Sequence, residues 1–345
     1  MRKIKNKIQF ANELSNWYRL NKRNLPFRKT NDPYKIYLSE MMLQQTQMDT
    51  VLPYYERFIS KYPTITELAN APMADVLKLW EGLGYYRRAA YLHETAKIVR
   101  DEHNGVFPSD IESIRKLKGI GRYTAGAIHS IAFLKPTPAV DGNVMRVMSR
   151  ITAYDKDITK TTHMREIENE VQTLIIHENP SDFTQGMMEL GALVCQKTPK
   201  CEWCPVSKHC FAFNNNQINL YPYKEKAKAK VTEEYIVFVV MDDASHVLLN
   251  KRPGDGLLAN MLEFPQFETK DLKQASIEFM QTYNVLVTET EKLFEIKHIF
   301  THKIWLLNVY KVSVQTNKHL NLIPTNDIPT AMSKAHIKIL EKLKK

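Results

Sequence analysis

All four cysteines of the chain, Cys195, Cys201, Cys204 and Cys210, fall within sixteen of its 345 residues. No other feature limits the fold as strongly. A secreted disulfide framework spreads its cysteines along the chain, so this clustering points to a metal ion or an iron–sulfur cluster instead. The spacing is C-x5-C-x2-C-x5-C. Structural zinc sites usually pair two C-x2-C knuckles, and here there is one, which favours a [4Fe–4S] cluster over zinc.

The chain changes character on either side of this loop. From about residue 7 to 195 apolar residues recur at helical spacing, and proline and glycine punctuate the joins. Helices are expected from Ile8 through Tyr18, over 33–47, near 50–61, 73–80 and 87–102, then at 122–131, 141–151, 161–176 and 181–194. The stretch FNNNQINLYPYKEKAKAK then turns polar and basic; it reads as a linker whose charge could also track a phosphate backbone. Past residue 232 the period shifts toward two in EYIVFVVMD, HVLLNKR and HIFTHKIWLLNVYKV, with a helical piece at 271–283. The expected organisation is a helical domain over 1–215, a linker over 216–231 and a separate α+β domain over 232–345. There is no internal repeat.

A formal net charge of +10 favours a polyanionic partner without specifying one. No stretch approaches the ~18 apolar residues that cross a bilayer, and the basic N-terminus has no signal-peptide core. A cytoplasmic protein without a membrane partner is expected.

Three segments carry candidate chemistry. LKGIGRYTAGAI, from Leu117 to Ile128, places Gly119 and Gly121 in a tight turn before a helix, where backbone amides can receive a phosphate. In YLSEMMLQQTQ, Glu40 is an acid beside Met41, Met42 and Leu43; burial there would keep it protonated, as a general acid requires. Gln44, Gln45 and Gln47 offer amides to bases or simply form a solvated face. In AVDGNVMRVMSR, Asp141 sits at a loop-to-helix boundary, either as an ordinary N-cap or as a second carboxylate facing the first. EGLGYYRRA sets Tyr85, Tyr86, Arg87 and Arg88 together, a set suited to wedging into a base stack and holding phosphate.

Taken in order, LPFR, LSEMMLQQTQ, GLGYYRRA, KGIGRYTAGAI, VDGNVMRV and the four-cysteine loop resemble the adenine DNA glycosylase (MutY) family over about residues 8–215. The C-terminal region resembles that family's Nudix-like domain. The resemblance implies an all-α helix–hairpin–helix fold of two helical lobes, a [4Fe–4S] cluster on the four cysteines, and excision of adenine mispaired with 8-oxoguanine or guanine in double-stranded DNA. It implies base excision repair by a nucleoid-associated, bacterial-type enzyme, expected to be a monomer.

By position, Glu40 would protonate adenine N7. Asp141, supported by Asn143, would stabilise the sugar cation or attack it as retaining glycosidases do. Tyr123 would hydrogen-bond at the reacting sugar or orient Asp141, while Gly119 and Gly121 hold the DNA backbone. Arg28 and Gln185 would line the adenine site, with Leu43 beside them. Gln45 and Tyr85 would fill the gap or probe the 8-oxoguanine side, with Thr46 and Leu83 nearby. Phe300, Thr301 and His302 match the family's loop for reading 8-oxoguanine. The sequence departs from the family pattern at Phe27, usually tryptophan, at Lys118, usually proline, at Thr301, usually serine, and in a first cysteine gap one residue short.

Three rival readings stand beside this one. An endonuclease III-like glycosylase and lyase shares the fold and cysteines, but its Schiff-base chemistry needs a lysine where this chain has Tyr123. A non-enzymatic, metal-stapled DNA-binding protein would leave Glu40 and Asp141 dispensable. Nudix hydrolysis needs a helix dense in glutamates, and DLKQASIEFMQTYNV lacks that pattern, so recognition without hydrolysis is expected.

Overall fold

The computed structural model describes residues 1–225, 229–316 and 320–344. Before the first strand run α1 (Lys7–Asn21), α2 (Pro33–Leu43), α3 (Met48–Lys61), α4 (Ile65–Asn70), α5 (Met73–Trp80) and α6 (Arg87–Glu102). They are followed by α7 (Ile111–Lys116), α8 (Arg122–Ile131), α9 (Gly142–Thr152), α10 (Thr161–Ile175), α11 (Pro180–Leu193) and α12 (Phe211–Asn214). The C-terminal part holds β1 (Val231–Val239), β2 (His246–Leu248), β3 (Asn250–Lys251), β4 (Leu262–Glu263) and β5 (Gln266–Phe267). After these come α13 (Leu272–Tyr283), β6 (Leu286–Ile299), β7 (Lys303–Gln315), β8 (Leu322–Pro324) and α14 (Lys334–Leu343). Among the described residues no helix is long and apolar enough to cross a membrane.

The chain divides into two compact units, one of residues 1–70 and 91–227, the other of residues 71–90 and 228–345. Helix starts in the first unit follow capping chemistry. Asn6 accepts from Gln9 N, Asp32 from Tyr34 N ahead of Pro33, Asp110 from Ser113 N, and Asn179 from Ser181 N ahead of Pro180. Helix α2 stops at Leu43, four residues before the expected end, because Gln45 takes a left-handed conformation with φ of 57°. The core joins Phe10 and Leu14 of α1 with Val144 and Met148 of α9 and Phe183 and Leu190 of α11, and Cys195, Cys204 and Cys210 pack against it.

Two glycines set how closely these helices approach. A Cβ on Gly126 would lie 2.0 Å from Pro138 O, and one on Gly191 would lie 2.5 Å from Asn143 Cβ. The second contact presses α11 against the start of α9. The stretch expected to be a free linker is anchored over its first part: Arg150 Nε donates to Tyr221 O at 3.1 Å, and Ile158 N donates to Tyr223 O at 3.2 Å. Residues 226–228 of that stretch lie outside the described residues.

The second unit is built on a mixed sheet in the order β5-β1-β7-β6, with β1 parallel to β7 and the other two pairings antiparallel. Alternation along β1 sends Ile236 and Phe238 toward Phe279 of α13, and Val237 and Val239 toward Ile339 of α14. The outer strand β6 carries two register shifts, at Val287/Glu289 and Lys292/Phe294. Residues 71–90 belong here because Glu81 Oε1 accepts from Met332 N at 3.1 Å and Tyr86 Oη donates to Met332 O at 3.5 Å. Helix α13 has Glu278 as its single acid.

Candidate active site

The first unit encloses a cavity of about 650 Å³ lined from five directions. Helix α2 supplies Glu40 and Leu43, and the turn after it Gln45 and Thr46; the 26–28 turn supplies Arg28; α8 supplies Tyr123; the start of α9 supplies Asp141 and Asn143; α11 supplies Gln185 and Glu189. Nine expected residues, separated by up to 157 positions from Arg28 to Gln185, therefore meet in one place.

Glu40 is the one charged group in the buried run Ile36–Met42. Burial raises its pKa to about 7; Tyr123 and Arg28 work against that, and the nearby Asp141 charge adds to it. Tyr123 Oη donates to Glu40 Oε2 at 2.6 Å, so its hydroxyl is aimed at Glu40, a partner outside its two expected roles at the reacting sugar or beside Asp141. Desolvation holds the phenol well above its ordinary pKa, which keeps it a donor. With Oε2 accepting this bond, the acid proton of Glu40 belongs on Oε1.

Asp141 is both the cap of α9 and a wall of the cavity, so the two readings of it coincide. Its Oδ1 accepts from Asn143 N at 2.9 Å and Val144 N at 2.8 Å, and its Oδ2 from Asn143 Nδ2 at 2.8 Å. Burial pushes its carboxyl up, while these three donors favour the ionised form. Asn143 is itself fixed, because its Oδ1 accepts from Arg146 Nη2 at 2.7 Å. Arg146 also donates to Gly191 O at 2.8 Å and Cys195 O at 2.7 Å, tying the cap to the start of the cysteine loop.

Arg28 donates through Nη2 to Glu189 Oε2 at 2.5 Å, whereas its Nη1 is buried without an acceptor. Gln185 Nε2 donates to Ser181 Oγ at 2.9 Å. Glu189, Arg23, Met188 and Arg146 were not anticipated. Glu189 lies four residues after Gln185 on the same helix face, a spacing too common to single it out.

The hairpin glycines differ from each other. Gly119 has φ of +72° and a Cβ there would lie 2.5 Å from Tyr91 Cδ2, so the fold itself demands glycine. Gly121 caps α8 with an ordinary φ of −82°, makes no side-chain capping bond, and a Cβ there would meet nothing. Neither backbone strain nor packing explains it.

In the second unit, Phe300, Thr301 and His302 form the turn between β6 and β7, closed by Phe300 N donating to Lys303 O at 2.8 Å. Tyr85, exposed and left-handed with φ of 50°, shares a hydrogen bond of 2.6 Å with Thr301 Oγ1. Leu83 is buried. Arg88 departs from the expected phosphate role: it is buried, and its Nη2 donates to Gly84 O at 3.0 Å, so it shapes the turn that presents Tyr85.

The four cysteines line one small cavity whose other walls include Val147, Ile151, Leu190 and Val206. Arg150 Nη1 reaches Cys195 Sγ at 3.3 Å. Among the described residues no group of three or more His, Cys, Asp or Glu is arranged to hold a metal ion. Four thiols around one small apolar cavity are a donor set that an iron–sulfur cluster or a structural zinc ion takes.

Residues 38–173 match the family model of the HhH-GPD superfamily base excision DNA repair proteins, and residues 236–342 match the NUDIX domain. The adenine DNA glycosylase of Buchnera aphidicola (subsp. Baizongia pistaciae) is 35% identical, over 98% of this chain and 97% of that protein. The chain belongs to the adenine DNA glycosylase family. The human adenine DNA glycosylase is 32% identical over 91% of this chain and 69% of its own length. The structure of a thermostable thymine-DNA glycosylase aligns with a TM-score of 0.53 at 28% identity, covering 60% of this chain and 97% of that one. As an adenine DNA glycosylase the protein is a base excision repair enzyme, a helical HhH-GPD domain joined to a Nudix-like domain.

Proposed function

We propose that this glycosylase removes adenine mispaired with 8-oxoguanine or guanine from double-stranded DNA by hydrolysis alone, without a lyase step. The observation that carries the reading is Glu40, a carboxyl with a pKa raised to about 7 inside the same cavity as Asp141. Adenine turned out of the duplex enters this cavity. The Oε1 proton of Glu40 passes to N7, the C1′–N9 bond breaks with its electrons going to the base, and positive charge develops on the sugar. Asp141 stabilises that charge electrostatically or by bonding to C1′; water then adds at C1′, displacing Asp141 where that bond has formed, and gives up its proton to the Glu40 carboxylate. Arg28 Nη1, a donor in want of an acceptor, meets a ring nitrogen of the base. Gln185 and Leu43 complete the adenine wall; Gln45 and Thr46 lie at its edge.

Among the described residues lining the cavity none is a lysine, which supports hydrolysis over Schiff-base chemistry. Cys195, Cys201, Cys204 and Cys210 would hold a [4Fe–4S] cluster, which supplies a structural closure of this loop. Gly119 and Gly121 hold the DNA backbone through the amides of the hairpin. Thr301, with Phe300 and His302, reads 8-oxoguanine; Tyr85, bonded to Thr301, probes the same side, and Leu83 backs its turn. The enzyme acts as a monomer at the nucleoid.

Single-turnover release of adenine from A:8-oxoguanine, A:G and A:T duplexes tests the reading. Release is expected to be fastest from A:8-oxoguanine and absent from A:T. Equal rates on all three duplexes, or robust borohydride trapping on abasic DNA, would sink it.

A further inference from the structure

Glu189 has no part in the chemistry above, yet it is the most heavily bonded side chain of the cavity. It is fully buried on α11. Its Oε1 accepts from Arg23 N at 3.1 Å and Arg23 Nε at 2.8 Å, and its Oε2 from Arg23 Nη2 at 2.8 Å and Arg28 Nη2 at 2.5 Å. Two guanidinium groups thus share one carboxylate, and the second of them keeps Nη1 unbonded. We propose that Glu189 is a positioning residue for adenine excision. It fixes the Arg28 guanidinium with one N–H free for the base, and cancels charge that Arg28 would otherwise turn on Glu40.

Two observations separate this from a plain structural ion triad. First, all three members line the cavity itself, beside Glu40. Second, a fork-shaped guanidinium held at one nitrogen by a rigid carboxylate presents its other nitrogen in a set direction. The charge argument covers every group that faces Glu40. Tyr123 comes from α8, Asp141 from the loop before α9, and Arg28 from the turn before α2, while the described lining on the α3 side is Gln47 and Met48, both uncharged. Arg28 lowers the Glu40 pKa, so an Arg28 stripped of its counter-charge would lower it further.

The inference rests on Glu40 being the general acid, and its test keeps the two apart. Adenine release in single turnovers from an A:8-oxoguanine duplex is followed across pH for the full chain and for Glu189→Gln, Glu189→Asp, Arg28→Gln and the Arg28→Gln/Glu189→Gln pair. Duplex affinity is measured separately. Glu189→Gln is expected to bind duplex as the parent does and to release adenine about tenfold more slowly at neutral pH. Its pH limb should move down by about one unit, since a tenfold change in the protonated fraction of a general acid corresponds to one pH unit. Glu189→Asp keeps the charge and should leave the limb in place while slowing release. The double variant should be no slower than Arg28→Gln alone, because a residue that acts through another adds no second loss.

Slowing by the same factor at every pH in Glu189→Gln, or fully additive losses in the double variant, would overturn the proposal. If Glu189→Gln does not fold, Glu189→Asp decides: release at the parent rate, or a displaced limb, would overturn it. Failure of the parent chain to release adenine at all would instead count against the proposed function.

Discussion

Two carboxyl groups face the same cavity from opposite helices and end at opposite extremes of acidity. Glu40 on α2 is raised to about 7, and Glu189 on α11 is lowered to about 2. Both are buried, and burial pushes both upward. The difference lies in their partners. Glu40 receives one neutral phenol at 2.6 Å; Glu189 receives two guanidinium groups and a backbone N–H. A buried carboxyl becomes a proton donor or a permanent anion according to the charge of what it is bonded to. One cavity can therefore hold an acid and a fixed counter-charge on side chains of the same type.

The largest effect expected on this arrangement comes from Asp141→Asn. A carboxylate about 4 Å from the sugar cation contributes about 4 kcal/mol at an effective dielectric of ~20, or roughly a thousandfold in rate. Asparagine caps helices about as well as aspartate, so the melting midpoint should barely move while excision collapses. A variant that loses stability and rate together would reduce Asp141 to a cap.

Glu40→Gln comes next, with a loss of roughly a hundredfold or more in single-turnover release and unchanged duplex binding. Its rate should also lose the fall above neutral pH that the parent shows. In the parent, release needs protonated Glu40, so the rate falls about tenfold per unit above about pH 7, and below that it holds until Asp141 takes up a proton. A parent rate that rises with pH through that range would reverse the roles given to the carboxyl groups.

Gly191→Ala presses on the frame behind Asp141. Its Cβ would meet Asn143 Cβ at 2.5 Å and Asn143 Cα at 3.1 Å, so α11 and α9 must part. A cost of about 1–3 kcal/mol in denaturant unfolding is expected, with a drop in excision larger than the stability loss alone explains. Unchanged stability would mean that the two helices are less tightly joined than their contact implies.

The smallest effect concerns stability against pH, where the two glutamates should act with opposite sign. Glu189 is lowered from 4.5 to about 2, so its contribution is complete above pH 4.5 and is lost as pH falls through about 2. Glu40 is raised from 4.5 to about 7, so its contribution is present below 4.5 and lost as pH rises through about 7. Urea midpoints measured across pH should show Glu189→Gln losing the acid-side slope and Glu40→Gln the neutral-side slope. The same slope in both variants would break the contrast.

Much of the helical unit was legible because its caps and breaks are local. Asp32-Pro33, Asp141 and Asn179-Pro180 mark helix starts that the chain cannot easily place elsewhere. Short helices without a full apolar period, α4, α7 and α14 among them, escaped notice, since six to ten residues barely complete a repeat. Glu40 and Asp141 could be found because each stands in a motif. Glu189 could not, because MMELGAL reads as an ordinary amphipathic turn and its partners Arg23 and Arg28 lie 166 and 161 residues upstream. The bond from Tyr123 to Glu40 is hidden for a related reason. Nothing near it in sequence reveals that α8 packs on α2.

The outer strand β6 has a further consequence for how this protein survives in a crowded solution. A sheet edge of 14 residues offers a row of unpaired amides and carbonyls to any passing strand. Here the two register shifts bend that edge, and Glu289, Glu291, Lys292, Glu295 and Lys297 stud it with charges of both signs. At the opposite edge, β5 is only two residues long. Neither border is a straight template, so the strand-rich unit is guarded against stacking into fibrils while its β6–β7 turn stays exposed.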